Sequence, residues 1–252
     1  VSRLDPLVFS SAWVAAAALA LTLVSGAAMG GWPDAAVLGL VFCGTLFVYN
    51  VDRLRDLPRD RETSPARSTF VERHRRALLV LCIAAGIAAG PLALEVGEEA
   101  ALLLLPVLLA GLFHRRLKRF AWWKPVYVSA AWTLVVVGLP ALTLPHPHRI
   151  AWVGGLIGAT MLANVIASNL RDGEGLSLRL GPRVPLRMAR ALALAALLVG
   201  VLGPASVRPL VWIPLATALA LAFFRADEHY GLVVVDGALL LGSLLALPGY
   251  LV

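Results

Sequence analysis

Apolar residues in this chain come in long unbroken blocks, not in the alternation of a half-buried strand. Nine blocks run at about 7–29, 35–51, 77–94, 100–113, 126–144, 150–168, 188–202, 209–224 and 232–251, each near the length a bilayer demands. Helices are the expected form, because lipid offers no partner to an unpaired backbone group and nothing here alternates like a barrel strand. No Gly/Ser linker or compositional break divides the blocks. The pattern predicts an all-α, polytopic membrane protein: a bundle of nine transmembrane helices forming one domain, 1–252.

Composition agrees. Hydrophobic residues make up 60% and charged residues 15%, with a mean hydropathy of +0.83. A soluble domain is nearer half apolar and a quarter charged. Block 7–29 is long enough to remain as a span, so no cleaved leader is expected. Cys43 and Cys82 fall inside apolar blocks without metal-ligand spacing, and are expected to be packed, reduced thiols.

The net charge of +7 would suggest nucleic acid if its placement were ignored. All but Arg149 and Arg208 of the 22 lysines and arginines lie at the chain start or in the segments after even-numbered blocks. The opposite loops carry Asp34, Glu95, Glu98 and Glu99. The positive-inside rule therefore puts the chain start and the basic loops in the cytoplasm of a multi-pass, inner-membrane protein. Topology accounts for the basic charge, and no nucleic-acid partner is expected.

Candidate chemistry begins at 49–62, where Asp52, Asp56, Asp60 and Glu62 alternate with Arg53, Arg55, Arg59 and Arg61 at the mouth of the second block. Aspartates four apart stack along one helix face at about 6 Å per step. Clustered carboxylates suit Mg²⁺, and ionisable groups at a bilayer boundary are costly enough to suggest function. A self-neutralised helix cap would contain the same residues, since Asp52/Arg55 and Asp56/Arg59 lie at ion-pair spacing. Pro58 is expected to break the helix near residue 57 and take Asp60 off the shared face.

Two further loops stand out on the same side. One reads His114-Arg115-Arg116-Leu117-Lys118-Arg119-Phe120-Ala121-Trp122-Trp123-Lys124, where the cations also serve topology and the tryptophans suit the membrane interface. The other reads Asn169-Leu170-Arg171-Asp172-Gly173-Glu174-Gly175-Leu176, where Gly173 and Gly175 predict a turn after a helix. If these loops meet, acids would face Arg and Lys donors, an arrangement that fits a diphosphate. His146 and His148 read as outer-loop residues, and Asp236, deep in the last block, requires a polar partner inside the bundle.

At these motifs the chain resembles the UbiA-type intramembrane prenyltransferase superfamily, nine-helix bundles with Asp-rich motifs after the second and sixth helices. Its first motif, roughly Asn-Asp-x-x-Asp-x-x-x-Asp, is similar to Asn50-Val51-Asp52 with Asp56 and Asp60 beyond. Its second, Asn-x-Arg-Asp-x-Glu-Gly-Asp in quinone-forming branches, is similar to the stretch from Asn169 to Leu176. The Tyr-x-x-x-Lys-Arg loop between them is similar to the run from His114 to Arg119. The chain departs from the pattern at Val51, Leu54 and Pro58, where the first motif has acids, at Leu176, and at His114, which stands for the tyrosine.

The resemblance implies transfer of an isoprenyl group from a prenyl diphosphate to a lipophilic acceptor, such as an aromatic quinone precursor, inside the bundle. On that likeness Asp52, Asp56, Asp60, Asp172 and Glu174 would hold Mg²⁺, with Asp56 and Asp172 the catalytic pair. Asn50, His114, Lys118, Asn169 and Arg171 would hold the diphosphate, and Phe42, Phe47 and Trp132 would keep water from the allylic cation. Charge stabilisation of the leaving group would be the main catalytic contribution. A non-catalytic relative that binds an isoprenoid or quinone, and a terpene-cyclising member, are the alternatives. A CDP-alcohol phosphotransferase fits less well, because Asp172-Gly173 and Asp236-Gly237 lack its continuation. Paired broken helices of a transporter are not evident either.

Overall fold

A computed structural model describes residues 4–117, 121–144, 147–173 and 175–251, with the side chains at 59 and 110–117 also outside that description. The helices are α1 (Asp5–Phe9), α2 (Ala12–Met29), α3 (Ala35–Thr63), α4 (Pro65–Arg73), α5 (Arg75–Val96), α6 (Glu98–Leu117) and α7 (Trp123–Thr133). They continue with α8 (Leu139–Thr143), α9 (Ile150–Arg171), α10 (Leu176–Leu180), α11 (Arg183–Leu202), α12 (Trp212–Ala222) and α13 (Asp236–Ala246). A π-turn, Leu134–Gly138, joins α7 to α8, and a second, Tyr230–Val235, runs into α13. No strand occurs among the described residues.

Among the described residues, seven helical stretches are long and apolar enough to cross a bilayer: Ala12–Met29, Ala35–Pro58, Arg75–Val96, Trp123–Thr143, Ile150–Arg171, Arg183–Leu202 and Tyr230–Tyr250. The protein is thus an all-helical, multi-pass membrane protein. The remaining two apolar blocks form α6, which carries Glu98 and Glu99 in its first turn, and the shorter stretch Arg208–Ala222.

The helices close on themselves. α2 packs on α3, α3 on α5, α5 on α6, α6 on α7 and α8, α7 on α9, α9 on α11, α11 on α12, α12 on α13, and α13 back on α2. α2 also touches α9 and the first π-turn, and supplies much of the main buried cluster through Ala17, Ala18, Leu21, Val24 and Met29. Small residues permit the close approaches on which helices in lipid depend. A Cβ on Gly242 would lie 2.5 Å from the Ile213 Cα, so α13 meets the start of α12 backbone to backbone.

Hydrogen bonds separate two ends of this bundle. At one, His229 Nε2 lies 3.0 Å from Asp5 Oδ1, and the Glu228 carboxylate accepts the backbone N–H groups of Ala66 and Arg67 at the start of α4. Arg67 pairs with Asp60 at 2.8 Å, and Lys124 Nζ lies 3.8 Å from Asp172. At the other, the His148 N–H donates to the Met29 carbonyl at 3.0 Å, Ser206 Oγ to the Ala28 carbonyl, and the Tyr250 hydroxyl to the Ser206 carbonyl. Basic segments that are far apart in sequence therefore share one end, called the basic end below.

Two local expectations change. Pro58 does not stop its helix: α3 runs through it to Thr63, beyond the apolar block. Pro58 ends the apolar stretch Ala35–Pro58 among Arg55, Asp56, Arg59 and Asp60, where the carbonyl that its missing N–H leaves unbonded can meet the polar boundary. Block 7–29 is not one continuous helix, because Ser11 adopts φ 67° and separates α1 from α2. The carbonyls freed at that break are taken by α3. Arg53 donates to Val8 at 3.0 Å and to Phe9, and Asn50 Nδ2 donates to Ser10 at 3.0 Å.

Candidate anion site at the basic end

The site is built on the end of α9. That helix finishes at Arg171, and the chain then turns through Gly173 (φ 63°) and Gly175 (φ 62°), the left-handed conformation glycine takes without steric cost. Arg171 forks onto the adjacent Asp172: Nε to Oδ1 at 2.8 Å and Nη2 to Oδ2 at 3.2 Å. The Arg171 side chain is only 7% exposed and lies where a Cβ on Gly231 would fall. Burial alone would raise the Asp172 carboxyl, but the charge and hydrogen bonds of Arg171, helped by Lys124 and Arg67, hold it below the usual carboxylate range. Asp172 thus joins Arg67 of the first basic loop, Lys124 of the second and Arg171 of the third.

Beneath this group a polar column continues into the bundle. Asn164 of α9 donates to the Val235 carbonyl at 3.1 Å and lies 3.4 Å from Asp236 Oδ1. Asp236 is within electrostatic reach of Arg171 and Arg53, and Tyr49 within reach of Asp236, Arg53 and Asp52. The Tyr49 hydroxyl accepts a hydrogen bond from Trp132 Nε1 at 3.0 Å. One π-turn follows Trp132 after a single residue and the other ends immediately before Asp236. Such turns within helices often mark functional positions.

Several buried polar atoms at the basic end find no hydrogen-bond partner among the described residues. They include both amide atoms of Asn169, Arg171 Nη1, Arg67 Nε and Trp123 Nε1, with Asn50 Oδ1 and the Ser64 and Ser68 hydroxyls nearby in the chain. Asn169 is 2% exposed. A Cβ on Gly175 would lie 3.7 Å from Asn169 Nδ2 and 3.2 Å from the Ala121 carbonyl, so the second and third loops press together around that amide. Buried polar groups in folded proteins are nearly always paired with protein, water or ligand. Donors dominate this set, and a donor-rich, cation-rich cluster suits an anion with several oxygens.

The expected site residues divide as follows. Arg171, Asp172 and Asn169 lie in the cluster. Asp60 reaches it through Arg67, whereas the amide nitrogen of Asn50 is bound to the Ser10 and Leu46 carbonyls. Asp52 is exposed, within electrostatic reach of Tyr49 and Tyr127, and Asp56 is part-exposed; both interact with other groups. His114 lies in α6 with its side chain outside the description, and Lys118 and Glu174 lie outside the described residues. Trp132 faces the interior, while Phe47 packs toward Gly86 on α5 and is 37% exposed. Sequence reading did not single out Arg67, Asn164 or Tyr49 for the site, and it left Asp236 without a partner. An ionisable residue inside an apolar run was the available signal.

Two of the five carboxylates that the family resemblance would give to Mg²⁺ are already committed to cations. Arg171 holds both oxygens of Asp172, and Arg67 holds Asp60. Among the described residues no three His, Cys, Asp or Glu side chains gather around one point. The described carboxylates do not fit a divalent ion.

No protein-family model, curated protein or solved structure matches this chain.

Proposed function

We propose that this chain is an intramembrane prenyltransferase of UbiA-type architecture, moving an isoprenyl group from a prenyl diphosphate to a lipophilic acceptor. The observation that carries the reading is the cluster of buried, unpartnered donors around Arg171 and Asn169, where three basic segments meet above a polar column in an apolar bundle. A diphosphate supplies the oxygens those donors lack, and the bundle below accepts a hydrocarbon tail.

The closed ring supports the architectural reading. Treating α6 and Arg208–Ala222 as crossings makes nine passes, with the chain start at the basic end and Tyr250 at the other, as the contacts of Asp5 and Tyr250 require. On the positive-inside rule the basic end faces the cytoplasm.

In the reaction, the allylic C–O bond breaks with its electron pair leaving on the diphosphate. Arg171, Lys124 and Arg67 take up that charge, and Asn169 orients an oxygen. The acceptor supplies the electron pair for the new bond to the allylic carbon and gives up a proton to the released diphosphate. Preorganised cations in a water-poor site are an effective way to stabilise a leaving anion. Tyr49 and Trp132 wall the interior beneath.

Turnover of labelled prenyl diphosphates by purified protein, supplied with membrane lipid extract as acceptor source, tests the reading. Label should pass to a lipophilic product with release of diphosphate, and both should disappear in Asp172→Ala. Tight binding without release would instead favour a second reading: a non-catalytic relative that holds an isoprenoid or quinone, for which the Arg–Asp pairing at the motif acids is the supporting observation.

A further inference from the structure

We infer that this site binds the diphosphate of its substrate with guanidinium and ammonium groups alone, without a divalent cation, and that Asp172 serves as a positioning residue for Arg171. The inference rests on the diphosphate reading above and changes what the motif acids do within it.

Three observations converge. The first is pairing: Arg171 and Lys124 surround Asp172, and Arg67 holds Asp60, so these carboxylates already carry the counter-charge a metal would bring. A metal entering at Asp172 would have to break a buried, bidentate guanidinium–carboxylate pair, the stronger kind of charge-assisted contact.

The second is the position of the unused donors. Arg171 spends Nε and Nη2 on Asp172 and keeps Nη1 without a partner among the described residues, in a side chain more than nine-tenths buried. The carboxylate thereby locks the plane of the fork and leaves Nη1, close to Gly231, without a partner among the described residues. Arg67 repeats the arrangement, with Nη2 on Asp60 and Nε unpartnered. An acid that spends its oxygens on aiming a guanidinium acts through the arginine and not through a metal.

The third is charge. Arg53, Arg67, Lys124 and Arg171 share one network with Asp60, Asp172, Asp236 and Glu228. Among the described residues acids and cations are matched there, so the carboxylates hold no surplus negative charge to draw in a divalent cation.

Equilibrium binding of tritiated farnesyl and geranylgeranyl diphosphate to detergent-purified protein, with either excess Mg²⁺ or excess EDTA, tests this. The affinities in the two conditions should agree within about twofold, and Arg67→Ala should weaken both by about tenfold or more. Arg171→Lys keeps the charge and loses the fork, and should weaken both conditions alike; Asp172→Asn should do the same. Unfolding midpoints of each variant separate lost binding from lost fold, and Arg67, whose side chain is 12% exposed against 7% for Arg171, provides the variant less exposed to that problem. A loss of about tenfold or more in EDTA, or an Asp172→Asn effect confined to the Mg²⁺ arm, would overturn the inference and leave the diphosphate reading standing. Absence of saturable binding in both arms would overturn both, and binding in EDTA without any turnover would keep the inference and remove the transferase.

Discussion

Arg171 grips both carboxylate oxygens of Asp172, its neighbour in sequence, from a position possible only because residue 231 has no side chain. The Asp172 carboxyl is thereby held below its unfolded value of about 3.9. A depressed carboxylate stabilises the folded state above that value, and the contribution is lost as pH falls through the folded one. Stability should therefore be insensitive to Asp172 between about pH 5 and 8 and decline only in stronger acid. Unfolding midpoints across pH, for the wild type and Asp172→Asn, will show this as a difference that is constant above pH 5 and shrinks below it.

Gly231→Ala places a methyl group where Arg171 lies. Overpacking of this kind costs about 1–3 kcal/mol where the neighbour cannot yield, and Asp172 prevents Arg171 from yielding. The variant should unfold more readily than wild type and bind prenyl diphosphate more weakly, whereas Gly154→Ala, with open space at its Cβ, should do neither.

Asp236 is the acid that faces the buried guanidinium groups of Arg53 and Arg171 from α13. Asp236→Ala leaves Arg53 without its acid, while Arg171 keeps Asp172, and should cost about 3 kcal/mol, the scale for removing one partner of a buried charged group. Asp236→Asn can still meet Asn164 and should cost less. Denaturation of both variants in the same detergent provides the comparison.

The apolar blocks and the one-sided placement of arginine and lysine were enough to read an all-helical membrane bundle, because lipid dictates both features along the chain itself. The turn at Gly173 and Gly175 was legible for a similar local reason. What the sequence did not show was pairing across space. Asn164 meets Asp236 over 72 positions and Arg53 reaches back 45 to Val8, and no local pattern marks either partner. Pro58 misled because its cost depends on whether the freed carbonyl is sealed from water, which the linear pattern does not record. The candidate site was visible as three loops, but that Arg67 and Lys124 both attend on Asp172 came only from the fold.

Arg53 ties α3 to the end of α1 through the Val8 and Phe9 carbonyls. Arg53→Gln should loosen that attachment and raise hydrogen exchange across residues 5–11, with little change at α9. Equal exchange in variant and wild type would remove this role.

The passage of Arg208–Ala222 through the bilayer separates nine crossings from fewer. In a Cys43→Ser, Cys82→Ser background, Ala205→Cys and Ala226→Cys should react with a membrane-impermeant thiol reagent from opposite sides. Reaction from one side alone would reduce the count.

The most direct test is equilibrium binding of a labelled prenyl diphosphate to the wild type and to Arg67→Ala, with the unfolding midpoint recorded for each. The proposal requires saturable binding by the wild type and a loss of about tenfold or more in a variant that remains folded. No saturable binding at any isoprenoid length, or full binding by Arg67→Ala, would contradict it.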